Sequence, residues 1–228
     1  MPESNVDGRL VLIAGATSAS GLAAARVLAS AGARVVAVGR DAEKLDELSA
    51  AVPGLRTEVC DLTDEDDVAA LAGRVHAADG PVDGVLHLVG GWRGGGGLAG
   101  QTDEDYRALE ASFTALRHVS RAFDADLRAS DAARLAVVSS TAVARPLAGG
   151  ANYAAVKAAT EAWARAVAQG FAKGARDAAA PLAAASVVFR VKSLDGLEEA
   201  LAQRFADLWA SEAADVNDTI VELTDPSL

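Results

Sequence analysis

The sequence predicts an α/β fold in three layers, a doubly wound parallel sheet of about seven strands with helices on both faces. Short apolar runs alternate with helical segments along the whole chain, which favours a parallel sheet covered on both sides. A glycine turn joins the first strand to the first helix, as in many sheets of this kind. No internal repeat, linker or boundary interrupts the pattern, so residues 1–228 are expected to form one domain.

The strands and helices follow from hydrophobic periodicity. Strands are expected at Arg9–Ala14, Ala33–Gly39, Leu55–Cys60, Val82–Val89, Leu135–Ser140, Ala183–Val191 and Thr219–Leu223. Helices are expected at Leu22–Ala31, Ala42–Ala51, Asp66–Ala78, Asp103–Ala129, Asn152–Lys173 and Leu197–Ser211.

Composition limits the class of protein. A net charge of −11 and a pI near 4.7 argue against a nucleic-acid or anionic-membrane partner. One cysteine, Cys60, permits no internal disulfide and suits a reducing cytoplasm. Residues 1–7 lack the features of a signal peptide, and no apolar run reaches the ~20 residues that span a bilayer. We therefore expect a soluble cytoplasmic protein, and the Ala/Gly/Arg-rich composition suggests a bacterial gene.

The turn after the first strand contains Gly15 and Gly21. Such a turn lets the backbone approach a pyrophosphate, and the N-terminus of the following helix attracts its charge. The same glycines also fit an ordinary strand-to-helix turn, so this feature alone leaves the function open.

The end of the second strand bears on the choice between NAD and NADP. Folds that select NAD usually place an acid here to bind the ribose 2′-hydroxyl. This chain has Gly39, which leaves room, and Arg40, which can bind a 2′-phosphate, so NADP is favoured. Asp41 either caps the next helix or competes for NAD, and Asp61 either accepts from an adenine amino group or serves as a turn residue.

A serine, a tyrosine and a lysine point to acid–base chemistry. Tyr153 and Lys157 are four residues apart and lie on one helix face, while Ser140 ends a buried strand. A phenol titrates near pH ~10, and a neighbouring ammonium lowers that pKa. Ser140 could hold a carbonyl oxygen while Tyr153 exchanges a proton with it, which suits hydride transfer involving a nicotinamide. A Tyr-x-x-x-Lys pair also occurs on solvated helix faces, but the serine thirteen positions upstream favours catalysis.

A glycine-rich loop follows the fourth strand. It runs from Gly90 to Gly97 and contains Trp92, at the edge of the sheet where α/β proteins bind ligands. Trp92 either lines a substrate pocket or pins the loop. His87 and His118 have no cysteine or carboxylate cluster around them in the sequence, so no metal site is expected.

From about Arg9 to Lys173 the chain resembles the short-chain dehydrogenase/reductase family of classical, single-domain size. The family signature Thr-Gly-x-x-x-Gly-x-Gly falls on residues 14–21, with Ala14 and Ala19 replacing the threonine and the middle glycine. The resemblance implies a Rossmann-like fold and an NADP-dependent oxidoreductase that reduces a small ketone or aldehyde to an alcohol, or the reverse. By this resemblance, cofactor contacts are expected from Gly15, Thr17, Ser18, Ser20, Gly21, Arg40, Asp61, Leu62, Leu88, Val89, Gly90, Tyr153 and Lys157.

The resemblance also assigns catalytic roles. Tyr153 is the general acid/base, Lys157 lowers its pKa and holds the nicotinamide ribose, and Ser140 orients the reacting oxygen. Ser112 aligns with the helix asparagine that supports a proton relay in the family. Classical members are commonly tetramers that associate through the helices matching Asp103–Ala129 and Asn152–Lys173, so a homo-oligomer, a tetramer or a dimer, is expected.

Departures from the family pattern keep two alternatives open. His87–Gly90 replaces the Asn-Asn-Ala-Gly element, and Val191–Leu194 replaces the Pro-Gly element that seats the nicotinamide. One alternative is a regulatory or assembly protein that binds the cofactor without redox turnover. The other is a non-redox cyclase or dehydratase that uses Tyr153 as its acid/base.

Overall fold

A parallel sheet runs through the centre of the protein, and the computed structural model describes residues 6–224. The strands are β1 (Leu10–Ala14), β2 (Arg34–Gly39), β3 (Arg56–Val59), β4 (Gly84–His87), β5 (Arg134–Ser140), β6 (Ala185–Val191) and β7 (Thr219–Glu222). The helices are α1 (Ala19–Ser30), α2 (Ala42–Ala51), α3 (Glu65–Ala78), α4 (Asp103–Ala122), α5 (Asp124–Ala129), α6 (Ala151–Asp177), α7 (Glu198–Ala206) and α8 (Ala213–Val216). The strand order is β3-β2-β1-β4-β5-β6-β7, and every pairing is parallel.

Two hydrophobic cores lie on opposite faces of this sheet. In β1, Val11 and Ile13 point into one core and Leu10 and Leu12 into the other, because successive strand residues face opposite sides. Helices α1, α2 and α7 cover the first face, whereas α3, α4, α5 and α6 cover the second. The predicted doubly wound, three-layer fold is confirmed.

The topology places a crevice between β1 and β4. The chain leaves β1 toward β3, crosses back to β4 on the other side of β1, and continues to β7. Such a reversal opens a crevice at the carboxyl ends of the two strands, where α/β proteins bind ligands. Here the backbone nitrogen of Leu88 donates to the carbonyl of Ala14 at 2.8 Å, which joins the two strand ends below the crevice.

Several predicted boundaries were wrong. The segment Asp103–Ala129 is two helices, because the backbone of the fully buried Phe123 leaves the helical conformation at φ −106° and ψ 9°. The predicted helix Leu197–Ser211 ends at Ala206, and a 3₁₀ turn follows that buries Trp209, whose Nε1 donates to the carbonyl of Ala132. The first helix starts at Ala19 rather than at Leu22.

The predictions on targeting concern the N-terminus and the helices. No helix within residues 6–224 is both long and apolar enough to cross a membrane. Residues 1–5, on which most of the signal-peptide prediction depends, lie outside the described part of the chain.

Candidate active site

Two glycines shape the turn between β1 and α1. Gly15 has a left-handed φ of 86°, and a Cβ placed on it would lie 2.8 Å from the backbone nitrogen of Val89. A Cβ on Gly21 would overlap the backbone carbonyl group of Ala16. Neither position has space for a side chain, so the turn stays tight at the N-terminus of α1, where anions are stabilised.

Ser18 fixes the start of α1. Its Oγ accepts a hydrogen bond from the backbone nitrogen of Gly21 at 3.2 Å, so the hydroxyl proton stays available to a ligand. This cap explains why the helix begins before the predicted Leu22.

Two adjoining cavities extend from the turn. The main cleft, of about 1140 Å³, is lined by Ser18, Ser20, Leu88, Val89, Gly90, Gly91, Trp92, Gly95, Val138, Ser139, Ser140, Thr141, Ala142, Arg145, Leu147, Gly149, Gly150, Tyr153, Lys157, Val191, Lys192, Ser193 and Leu194. The second cavity, of about 570 Å³, is lined among others by Gly15, Thr17, Ser18, Gly39, Arg40, Asp61, Leu62, Leu88, Val89, Gly90 and Ser112. The cavities share Ser18 and residues 88–92 and form one groove. Gly21, a predicted cofactor contact, is buried in the turn and lines neither cavity.

The second cavity contains the residues predicted to select the cofactor. Arg40 is exposed at its rim, next to Gly39, where a Cβ would lie 2.7 Å from the Thr17 methyl carbon. Asp41 does not line the cavity, and its carboxylate caps α2 by accepting from the backbone nitrogen of Lys44 at 3.2 Å. The capping interpretation of Asp41 is therefore confirmed.

Asp61 serves as a turn residue at the floor of the second cavity. Its Oδ1 accepts from the hydroxyl and the backbone nitrogen of Thr63, at 2.7 and 3.0 Å. These hydrogen bonds, and then the positive charge of Arg40, lower the pKa of Asp61. The carboxylate keeps Oδ2 for a ligand, so the turn role leaves the adenine interpretation open.

Ser140, Tyr153 and Lys157 all line the main cleft. Ser140 ends β5, and its Oγ accepts from the backbone nitrogen of Ala142 at 3.2 Å. The Lys157 Nζ lies 5.8 Å from the centroid of the Tyr153 ring, one helical turn away on α6. The strand and the helix thus present a hydroxyl, a phenol and an ammonium to one space.

Lys157 is held in an apolar setting. Its side chain is buried, and Nζ donates to the backbone carbonyl of Val138 at 2.8 Å. Burial lowers the pKa of Lys157 from 10.5 to about 8. The ammonium therefore titrates close to the neutral range, and its two remaining N–H groups stay available to neighbours in the cleft.

Ser112 reaches the site through its backbone. Its hydroxyl donates to the carbonyl of Leu109 in the same helix at 2.7 Å, while its own carbonyl oxygen lies 3.1 Å from Nε2 of His87. The sequence places His87 at the start of the segment that replaces Asn-Asn-Ala-Gly, but it does not predict this contact with Ser112. That position in the chain was the one sequence feature that could have marked His87 as part of the site.

The glycine-rich loop forms one wall of the main cleft. Trp92 lines the cleft, and its Cζ2 would lie 3.1 Å from a Cβ placed on Gly94. The backbone nitrogen of Gly95 donates to the carbonyl of Gly149 at 2.7 Å, and the amide of Gln101 donates to the same carbonyl at 3.0 Å. Both bonds tie the loop to the segment that precedes α6.

Among residues 6–224, no three His, Cys, Asp or Glu side chains gather as a metal site would need.

Comparisons with known proteins agree with this geometry. A family model described as short chain dehydrogenase matches residues 9–175. A 2,3-dihydro-2,3-dihydroxybenzoate dehydrogenase from Bacillus subtilis is 29% identical over 70% of this chain and 62% of its own length. The dehydrogenase/reductase SDR family member 7B from Bos taurus is 35% identical over 47% of this chain and 36% of its own. The chain thus spans less than two thirds of either relative.

A solved structure agrees with the fold. The crystal structure described as a short chain dehydrogenase from Shigella flexneri 2a, complexed with NADP, superposes with a TM-score of 0.81 at 20% identity, covering 96% of this chain and 98% of that one. With the family match over residues 9–175, the conclusion follows that the chain belongs to the short-chain dehydrogenase/reductase family of oxidoreductases.

Proposed function

We propose that the protein is an NADP(H)-dependent oxidoreductase that interconverts a ketone or aldehyde with its alcohol. The observation that carries this proposal is the shared cleft of Ser140, Tyr153 and Lys157, which continues into the glycine turn before α1. An acid–base group and an anion cradle in one groove suit a reaction that moves a proton while a bound nucleotide reacts.

Tyr153 is the proposed proton donor to the carbonyl oxygen. Ser140 orients that oxygen, because its Oγ already accepts from Ala142 and its own O–H is left to donate. Lys157 places a positive charge beside the phenol, where it stabilises the phenolate that remains after proton transfer. Ser112 supports the site indirectly, through the backbone carbonyl that receives the His87 hydrogen bond.

The residues present fit a dinucleotide. The backbone cradle at Gly15 and Gly21 has no space for side chains and suits a pyrophosphate at the N-terminus of α1. When bound, NADPH would supply the hydride. Lys157 would hold its nicotinamide ribose, and Asp61 Oδ2 would accept from its adenine. The remaining proposed contacts come from Thr17, Ser18, Ser20, Leu62, Leu88, Val89 and Gly90, which line the groove.

The preference for NADP over NAD rests on Arg40. Its guanidinium is exposed at the rim of the second cavity, where it can bind a 2′-phosphate through charge-assisted hydrogen bonds. The acid that would compete, Asp41, caps α2 through Oδ1 and lines neither cavity.

We also propose that residues 1–228 form one dinucleotide-binding domain that assembles as a homo-oligomer in a bacterial cytoplasm. One sheet joins the described strands from β1 to β7, which supports a single domain. The long helices α4 and α6 pack together through Phe113 and Trp163, and their outer faces are the proposed subunit contact. A monomeric mass by light scattering would contradict the oligomer.

The test of function is NADPH consumption with a panel of ketones and aldehydes. Tyr153→Phe should lower the reduction rate by about 100-fold or more while NADPH affinity stays within about threefold. Tyr106 on α4 is the second tyrosine and is 43% exposed, so Tyr106→Phe is the matched control and should leave the rate unchanged.

Other outcomes would point to the alternatives. Conversion of a substrate without NADPH consumption would indicate a non-redox enzyme that uses Tyr153. Binding of NADPH without turnover of any carbonyl would indicate a regulatory protein, and absence of cofactor binding would contradict the proposal outright.

A further inference from the structure

The main cleft has a charge opposite to that of the protein as a whole. The chain carries a net charge of −11, yet none of the described residues that line the cleft is acidic. Its charged lining residues are Arg145, Lys157 and Lys192. A cleft lined by one sign of charge raises the local concentration of ligands of the opposite sign, so this one favours an anion.

Two of these three cations have no polar partner in the described part of the chain. Within residues 6–224, neither Arg145 nor Lys192 makes an ion pair or a side-chain hydrogen bond, and both are exposed to the cleft. Arg190, by contrast, holds both carboxylate oxygens of Glu161 at 3.0 and 2.7 Å. Arg145 and Lys192 are therefore free to bind a ligand.

Apolar side chains stand beside these cations. Trp92 is 62% exposed and Leu147 is 74% exposed, although both are large and apolar. Both line the main cleft, on the two loops that the Gly95–Gly149 hydrogen bond joins. Large apolar groups exposed at the mouth of a cavity are a common mark of a binding surface.

The cofactor would use other groups of the groove for its phosphates. The 2′-phosphate is assigned above to Arg40 in the second cavity, whose lining contains neither Arg145 nor Lys192. The pyrophosphate is assigned to the N-terminus of α1. Arg145 also lies on the Leu147 loop, between Ser140 and Tyr153 in the chain, where a substrate would enter.

We propose, building on the oxidoreductase function above, that the substrate is an anionic carbonyl compound or alcohol with an apolar body. Its carboxylate or phosphate binds the Arg145 guanidinium, which presents paired donors to two oxygens, and Lys192 adds a second positive charge. Its apolar body, aromatic or long aliphatic, packs between Trp92 and Leu147. Its reacting oxygen lies at Ser140 and Tyr153.

Direct binding tests this substrate class without requiring turnover. Trp92 is the tryptophan that lines the cleft, whereas Nε1 of Trp163 and of Trp209 is hydrogen-bonded inside the protein. Quenching of tryptophan fluorescence that is lost in Trp92→Phe therefore reports binding in the cleft. The probes are para-acetylbenzoate, para-acetylphenyl phosphate and the neutral para-acetylbenzamide. The naphthyl analogue of each probe is tested as well. Every probe is titrated with and without saturating NADP.

An anionic probe should bind at least about 10-fold more tightly than the matched amide. Arg145→Ala should remove this difference while the Kd for NADP stays unchanged, and Arg145→Lys should keep part of it. Arg204→Ala, an exposed arginine of α7 outside the cleft, should behave as the wild type. Whichever of the two anionic probes binds more tightly identifies whether the ligand is a carboxylate or a phosphate.

Three results would overturn the inference: equal affinity for anionic and neutral probes, failure of every anionic probe to bind, or loss of NADP affinity in Arg145→Ala. The last result would assign Arg145 to the cofactor.

The substrate class and the oxidoreductase function can be disproved separately. NADPH-dependent reduction that prefers neutral ketones would remove the substrate class alone. Anion preference in a protein that binds no NADP would support the anion-binding cleft and remove the oxidoreductase proposal.

Discussion

His87 and Ser112 join the end of β4 to the middle of α4, with the imidazole Nε2 lying 3.1 Å from the backbone carbonyl oxygen of Ser112. A carbonyl can only accept, so Nε2 carries the proton and Nδ1 holds the lone pair of a neutral ring. Nδ1 is the buried side-chain polar atom that finds no hydrogen-bond partner within residues 6–224. Burial accordingly lowers the pKa of His87 from 6.5 to about 4.

This arrangement predicts a loss of stability in acid. The unfolded chain takes up a proton at His87 below about pH 6.5, whereas the folded chain resists protonation until about pH 4. Above about pH 6.5 the ring is neutral in both states, and the free energy of unfolding does not depend on its protonation. As the pH falls from about 6.5 to about 4, the free energy of unfolding declines by about 3 kcal/mol in total. His87→Gln keeps an N–H donor for Ser112 without titrating, so its unfolding free energy should fall less over this interval. Parallel curves for the two proteins in urea unfolding would contradict the prediction.

Lys157 should titrate near neutrality. Its folded pKa of about 8 lies below the ordinary 10.5, so the ammonium is present below about pH 8 and is lost as the pH rises through that value. Carbonyl reduction, which is proposed to need this charge beside Tyr153, should decline over the same range. The chain has four lysines, so protein labelled with carbon-13 at the lysine ε-carbon gives a simple spectrum. The resonance missing from Lys157→Gln should titrate near pH 8, and a midpoint at the ordinary value would refute the prediction.

Local patterns in the sequence were sufficient to predict the fold and to select residues that the structure brings together in the candidate site. The alternation of strands and helices, the Gly15–Gly21 turn, and the positions of Ser140 and Tyr153 all depend on short-range spacing. The break at Phe123 could not be predicted, because it depends on where a buried ring packs in the finished core.

The hydrogen bonding of the His87 ring could not be predicted from the sequence for a similar reason. A partner at one ring nitrogen and none at the other is set by the distance between β4 and α4. The cation-lined cleft likewise gathers Arg145 and Lys192 from segments far apart in the chain.

Arg40 should control the choice between NADPH and NADH. Arg40→Ala removes the guanidinium proposed to hold the 2′-phosphate, so NADPH affinity should fall by about 10- to 100-fold, the value of a charge-assisted hydrogen bond. NADH, which lacks that phosphate, should bind within about threefold of its wild-type affinity. Arg26→Ala is the matched control, because Arg26 is an exposed arginine of α1 that lines neither cavity. Equal losses for both cofactors would show that Arg40 acts through general charge.

Two glycine-to-alanine variants should change stability in opposite directions. A Cβ on Gly21 would overlap the backbone of Ala16, which cannot move without displacing the turn before α1. Gly21→Ala should therefore destabilise the protein by about 2 kcal/mol or more and abolish NADPH binding. A Cβ placed on Gly73 in α3 would have no atom within 4 Å, so Gly73→Ala should stabilise the helix by about 0.5–1 kcal/mol and leave NADPH binding intact. Urea unfolding and NADPH titration of both variants measure this contrast. Wild-type NADPH affinity in Gly21→Ala would mean that the turn is not the phosphate cradle.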